Sequence, residues 1–186
     1  MAGDVVELIM QDHREVERLF DELKKHPEKR PNLVPVLTTL LTAHSRAEEA
    51  EVYPAAKDEA GETEEVAHSQ EEHVQADKLL EKLAAADPMA PDFDQVLDEL
   101  VEAVTHHVEE EEKKVLPGIQ ARLSEERRLE LGDAFLVSRE KHLGQQPADT
   151  TKEQLLQQAG NADISGVSGL GKDELKEELR KQSEDS

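Results

Sequence analysis

The chain has no cysteine and is poor in aromatic residues, which make up 2% of its 186 residues. Without cysteine there can be no disulfide, no iron–sulfur cluster and no thiolate chemistry. That absence fits a reducing cytosol, so a cytoplasmic protein is expected. Strand signals are missing too, because β-branched and aromatic residues never alternate with polar ones over a strand's length. Long apolar runs are absent, and no stretch approaches the ~20 residues of a membrane helix. The start, Met-Ala-Gly-Asp-Val-Val-Glu, lacks the basic and apolar regions of a signal peptide. Positive charge is scarce: 22 Lys and Arg stand against 44 Asp and Glu, for a net charge of −22. This disfavours nucleic acid and anionic membranes as partners.

What is present is helix-forming: Leu, Ala, Glu, Gln and Lys dominate. Val6, Ile9, Val16, Leu19, Phe20 and Leu23 form an apolar stripe at helical spacing. It predicts a first helix from about Asp4 to Lys25. The His-Pro-Glu-Lys-Arg-Pro segment at 26–31 ends it. A second helix is predicted from an Asn32 cap to about Lys57, and a third from a Thr63 cap to about Ala85. A fourth should run from Phe93 to beyond Pro117. Ser124 should cap a shorter fifth helix reaching about Lys141 and lying across one end. The expected fold is all-α, an antiparallel four-helix bundle over residues 1–142. Residues 143–151 read as a linker. Residues 152–186 read as a small appendage of two short helices or a disordered tail.

One pattern occurs twice. His13 is followed by His44-Ser-Arg-Ala-Glu48, closing on Tyr53-Pro54. His73 is followed by His107-Val-Glu-Glu-Glu111, closing on Leu116-Pro117. His-to-Pro is ten residues in both copies. Each of these histidines lies on the buried stripe of its helix. His106 shares a face with Glu99 and Glu102, so helix phase selects His107 over it. An i, i+4 pair shares a helix face with a rise of about 6 Å. His44 with Glu48, and His107 with Glu111, can therefore each serve one centre. An apolar core has no reason to bury four imidazoles and two carboxylates without a cation. The metal-ligand set is thus His13, His44, Glu48, His73, His107 and Glu111. The simplest arrangement gives one ion His13 and His44 and the other His73 and His107, with Glu48 and Glu111 bridging. Each ion then falls short of six ligands, leaving room for a bridging hydroxide or oxide and a small molecule.

Glu17 and Asp77 lie one turn after His13 and His73, as extra ligands, as partners holding an imidazole, as proton shuttles, or as ordinary polar residues. His26, His68 and His142 read as ordinary histidines. Glu49, Glu51, Glu109, Glu110 and Glu112 read as solvated faces, although Glu49 and Glu112 match across the repeat. Imidazole with carboxylate suits iron, zinc or manganese, and bridging carboxylates favour a redox pair of iron ions over the other two. A ferritin-like site needs two Glu-x-x-His motifs, and the chain has only Glu65-Val-Ala-His68.

Asp12-His13, His44-x-x-x-Glu48-Glu49, Glu72-His73 and His107-x-x-x-Glu111-Glu112, with both proline closures, resemble the hemerythrin-like, HHE cation-binding family over about residues 4–140. The resemblance implies a four-helix bundle around two iron ions, oxo- or hydroxo-bridged, that bind dioxygen or related small molecules. Asp77 stands where the oxygen-carrying members have a second histidine, and the fourth-helix spacing is shorter than theirs. The pattern is more similar to a bacterial hemerythrin-like subgroup, for which peroxide decomposition and nitric oxide chemistry are implied. The expectation is a catalase-like or peroxidase-like di-iron oxidoreductase acting on hydrogen peroxide, dioxygen or nitric oxide. The alternatives are an oxygen, nitric oxide or iron sensor without turnover, signalling to a protein partner through its tail, and a structural metal bundle. The tail weakly resembles helix–extended–helix units of the SAP and Rho N-terminal type, which often bind nucleic acid. Nine acids and five bases in residues 149–186 argue against a phosphate grip.

Overall fold

A computed structural model describes residues 3–185, and helix is the only regular secondary structure among them. Helix α1 (Val5–Lys25) begins where the Asp4 carboxylate accepts from the Val6 N–H at 2.9 Å. Helix α2 (Arg30–Ala47) starts before the expected Asn32 cap, because Pro31 fits a first turn whose N–H groups have no helical partner. A short α3 (Tyr53–Asp58) continues it. Helix α4 (Thr63–Ala85) takes Thr63 as its first residue rather than its cap. Helices α5 (Phe93–Glu110) and α6 (Leu116–Arg122) form the fourth long rod. Packing of α1 on α2, α2 on α4, α4 on α5 and α5 on α1 closes the bundle. No helix among the described residues is long and apolar enough to cross a membrane.

The core has two apolar halves. One gathers Val5, Ile9, Val52, Ala56, Val66, Val115, Ile119 and Phe135. The other gathers Val16, Leu19, Leu23, Leu37, Leu80, Leu83, Phe93, Leu97 and Leu100. Along every rod a histidine falls between the halves: His13 between Ile9 and Val16, His44 between Leu41 and Ala47, His73 between Val66 and Leu80, His107 between Val104 and Val115. The repeat thus builds one buried polar layer across the middle of the bundle.

Helix α7 (Glu125–His142) is capped by the Ser124 hydroxyl, which accepts from the Arg127 N–H at 3.2 Å. It does not lie across an end. Arg128 pairs with Asp4 and Arg139 with Asp12, so α7 runs alongside α1. Phe135, fully buried, packs edge-on against the His44 ring with centroids 5.8 Å apart.

The chain after residue 142 folds back onto the bundle. A capping box between Thr151 and Gln154 starts α8 (Lys152–Asn161), and α9 (Lys172–Asp185) follows. Leu155, Ala159, Leu175 and Leu179 bury against Val74 of α4. Lys176 and Arg180 each reach Glu81 at 2.8 Å. The segment that composition marks as a tail therefore shares a small apolar core with α4.

Candidate metal centre

Both glutamates of the repeat begin a single π turn. Glu48–Val52 and Glu111–Val115 are π-helical, and the N–H of Tyr53 and of Leu116 bonds to the carbonyl five residues back. Pro54 and Pro117 follow at once, and proline cannot donate the next i→i−4 bond. Position i+5 of an α-helix would point about 140° away from position i. The wider turn instead carries Tyr53 back beneath Glu48, toward the polar layer.

Within that layer the donor atoms form two groups that share Glu48: His13, His44, Glu48 and Glu111, and Glu48, His73 and His107. Glu48 Oε2 lies 3.2 Å from His44 Nε2 and 3.3 Å from His73 Nε2. Glu111 Oε2 lies 3.2 Å from His13 Nε2 and 3.8 Å from His107 Nε2. Each carboxylate thus touches one histidine from each hairpin. His73 Nε2 and His107 Nε2 stand 3.1 Å apart. All six side chains are buried, Glu48 and Glu111 completely.

A second ring of carboxylates holds the outer nitrogens. His13 Nδ1 faces Glu112 at 2.9 Å, His44 Nδ1 faces Asp12 at 3.1 Å, His73 Nδ1 faces Glu49 at 3.1 Å, and His107 Nδ1 faces Glu72 at 2.9 Å. The acid before the first histidine of each hairpin holds that hairpin's other histidine. The acid after each glutamate holds a histidine of the opposite hairpin. Glu49 and Glu112 are therefore not solvated faces, and Glu49 is only 2% exposed. Its carboxylate also takes Arg46, Gln70 and, from α8, Gln158 at 3.1 Å. Asn161 of α8 bonds to the Glu49 carbonyl and to Gln70, both at 3.0 Å.

These contacts fix the tautomers. A carboxylate at Nδ1 puts the imidazole N–H there, so in the neutral form Nε2 presents a bare lone pair to the centre. Four lone pairs then converge with two carboxylates. His13 Nε2, His44 Nε2, both Glu48 oxygens and Glu111 Oε2 are buried without a hydrogen bond. Buried groups in that state are costly, and a cation satisfies all of them together. Donor separations of 3.1–3.3 Å match neighbouring ligands on one ion with bonds of about 2.0–2.2 Å. The residues present therefore fit two metal ions.

Charge says the same. Burial would raise Asp12, but His44 and Arg139 outweigh it and hold it below the usual aspartate range. Burial likewise works against an ionised Glu49, yet Arg46 and His73 bring it down to about 2. Glu48 lies well below the glutamate range, because His44 and His73 overcome its burial. Burial of His44 and His73 disfavours their charged forms, but Glu48 with Asp12 or Glu49 raises each to about 10. Without metal, protons must stand in for the cations.

Glu17 and Asp77 join neither group. Glu17 is half-exposed and pairs with Arg14 on the surface of α1. Asp77 turns to the buried Arg46, whose guanidinium sits between it and Glu49. The functional side chain that spacing does not reveal is Tyr53. Its hydroxyl donates to Glu111 Oε1 at 3.1 Å and stands 3.0 Å from His73 Nε2. Burial, then the charge of Glu111, pushes its pKa well above the ordinary tyrosine value, so it keeps its proton. Its place inside the repeated closure is the signal that marks it. Helix phase does separate the adjacent histidines: the His107 side chain is 8% exposed and that of His106 61%.

Residues 4–119 match the hemerythrin HHE cation-binding domain. The chain belongs to this family of cation-binding helical bundles, whose usual metal is iron. It is 32% identical over 142 residues to a DNA nickase of Nostoc sp., an alignment covering 74% of this chain and 40% of that protein. It is 33% identical over 97 residues to an uncharacterized hemerythrin-like protein of Schizosaccharomyces pombe, covering 51% of this chain and 48% of that one. The chain thus spans less than half the length of either relative. No solved structure matches it significantly.

The outer ring has a measurable role. Glu49→Ala and Glu112→Ala are each expected to weaken metal binding about 10–100-fold, the usual effect of losing a histidine's outer partner. Competition with a chromophoric chelator would measure it. Unchanged affinity in both variants would mean that the ring does not orient the imidazoles.

Proposed function

We propose that the polar layer holds two iron ions and that the protein reacts with small oxidants, hydrogen peroxide first, in the cytoplasm. The observation that carries this reading is the pair of donor groups sharing Glu48, with the Tyr53 hydroxyl at their edge. His13 and His44 would hold one ion and His73 and His107 the other, with Glu48 and Glu111 spanning both. A bound iron pair supplies redox change and open positions for a small molecule. The four outer carboxylates keep each imidazole in the tautomer that presents Nε2. The apolar halves above and below exclude bulk water from the layer. Tyr53 Oη holds a proton beside Glu111 Oε1, where a reactant could receive it, a role that neither Glu17 nor Asp77 is placed to fill.

The test is anaerobic iron loading followed by peroxide. Oxygen evolution with a changed iron absorption spectrum is expected. Absence of both changes would refute the enzymatic reading. Tyr53→Phe is expected to keep its iron while losing about 100-fold in peroxide turnover, the ordinary scale of a lost proton donor. Wild-type turnover in that variant would remove Tyr53 from the mechanism.

A second reading is metal-dependent nicking of DNA. The likeness to the Nostoc protein favours it, and the net charge of −22 opposes it. Conversion of supercoiled plasmid to open circles by metal-loaded protein, lost in His107→Ala, would establish it. A third reading, a sensor without turnover, draws support from α8, which hydrogen-bonds directly to Glu49.

A further inference from the structure

Outside the buried layer, α4 and α5 bring a second kind of donor cluster to the surface. His68 and Glu72 lie one turn apart on α4, and His106 of α5 faces them. Glu72 Oε1 is 3.4 Å from His68 Nε2 and 3.3 Å from His106 Nε2. Helix phase alone makes both histidines ordinary solvated residues. The carboxylate between them is not ordinary. The Glu72 side chain is 10% exposed, and its Oε1 is buried with no hydrogen bond. Its other oxygen, Oε2, is already engaged by His107 Nδ1 at 2.9 Å. Glu72 is thus nine-tenths buried, half satisfied, and aimed at two imidazoles that solvent can reach, with side chains 47% and 61% exposed.

We propose that His68, Glu72 and His106 form a third transition-metal site, open to solvent, that takes a divalent ion of the zinc type. Ligand bonds of about 2.0–2.2 Å in a tetrahedron place neighbouring donors about 3.3–3.5 Å apart. The two measured separations fall in that range. Two imidazoles and a carboxylate leave the fourth position to water or a ligand, as in open three-ligand zinc sites. A groove of about 240 Å³ adjoins the cluster; Glu64, Glu65 and Glu110 line it against a single cation, Lys114, which pairs with Glu110, so its net charge is negative and favours cations. The ion would satisfy the orphaned Oε1.

Glu72 also makes the site more than a surface trap. One carboxylate would hold the outer ion through Oε1 and orient His107 through Oε2. Occupancy of the surface site is therefore felt at the buried centre, through the hydrogen bond that sets the His107 ring. The surface site itself depends only on its own three residues, whatever metal the interior holds.

The test uses the full chain with its buried centre iron-loaded, and Zn2+ as probe in equilibrium dialysis. The wild type is expected to take one zinc per chain beyond its iron. The His68→Ala/His106→Ala variant, altered only at exposed side chains, is expected to take none and to keep its iron. Equal zinc uptake by the two proteins, or no uptake by the wild type, would overturn the proposal. The iron absorption bands should shift on zinc addition in the wild type and stay fixed in the variant; unshifted wild-type bands would sever the link through Glu72. If the interior takes no iron, the zinc count still decides, because the wild type must hold one equivalent more than the variant.

Discussion

Glu48→Gln is expected to abolish tight binding of both metal ions, with affinity falling by more than the roughly 10–100-fold that follows loss of an outer partner. The reason is geometric. Glu48 Oε2 lies within 3.3 Å of a histidine from each hairpin, and Glu48 is the residue common to both donor groups. An amide keeps the size of the carboxylate but not its charge, and its NH2 would face imidazole nitrogens or a cation. Single removal of His44 or His107 should cost less, since each serves one group. Glu111→Gln should resemble Glu48→Gln at the His13 side, where its oxygen sits at 3.2 Å, more than at the His107 side, at 3.8 Å. Metal content after desalting measures all four variants. Two ions per chain retained in Glu48→Gln would show that this carboxylate does not bridge.

Removing the metals is expected to make stability depend on alkaline pH. In the metal-free protein His44 and His73 titrate at about 10, and His13 is raised as well. An unfolded histidine titrates at about 6.5. A raised folded pKa gives stability that is complete below the unfolded value and is lost as pH rises through the folded one. The window is therefore pH 6.5 to about 10. On the acid side Glu48 and Glu49 are lowered, Glu49 to about 2, so their contribution is present above the unfolded glutamate pKa and lost as pH falls toward 2. Between those values the folded imidazoles keep protons that the unfolded chain has given up, which should cost a few kcal/mol, or a Tm drop on the order of 10 °C, at about 2–4 °C per kcal/mol. Calorimetry at pH 6.5 and pH 9 should show that drop in chelator-treated protein and little of it in metal-loaded protein, whose imidazoles are already neutral ligands. A metal-free Tm unchanged between the two pH values would contradict the charge balance of the site.

The bundle was legible because each long helix carries an apolar stripe with period near 3.6, interrupted by one histidine at matching depth. The doubled spacing then named the donor atoms that converge, and phase separated His107 from His106. The outer ring was hidden for two reasons. Glu49 and Glu112 are adjacent to inward-facing glutamates, where an α-helix would turn them aside by about 100°. They also sit among many other glutamates, so an acid at these positions carries little signal. The π turn that brings Tyr53 into the layer leaves only a proline as its mark. Asp77 and Glu17 share a register, yet long-range partners separate their fates: Arg46 draws Asp77 into a buried pair, and Arg14 keeps Glu17 on the surface. Docking of α8 and α9 was equally illegible, because Leu155, Ala159, Leu175 and Leu179 are too few to give a periodic signal.

On the proposed reading, four histidines and two glutamates hold two metal ions in one buried layer. Metal quantitation of the full chain from iron-replete cells tests it most directly. Two tightly held iron ions per chain are the expected result. One ion per chain, or none, would contradict the two-metal layer.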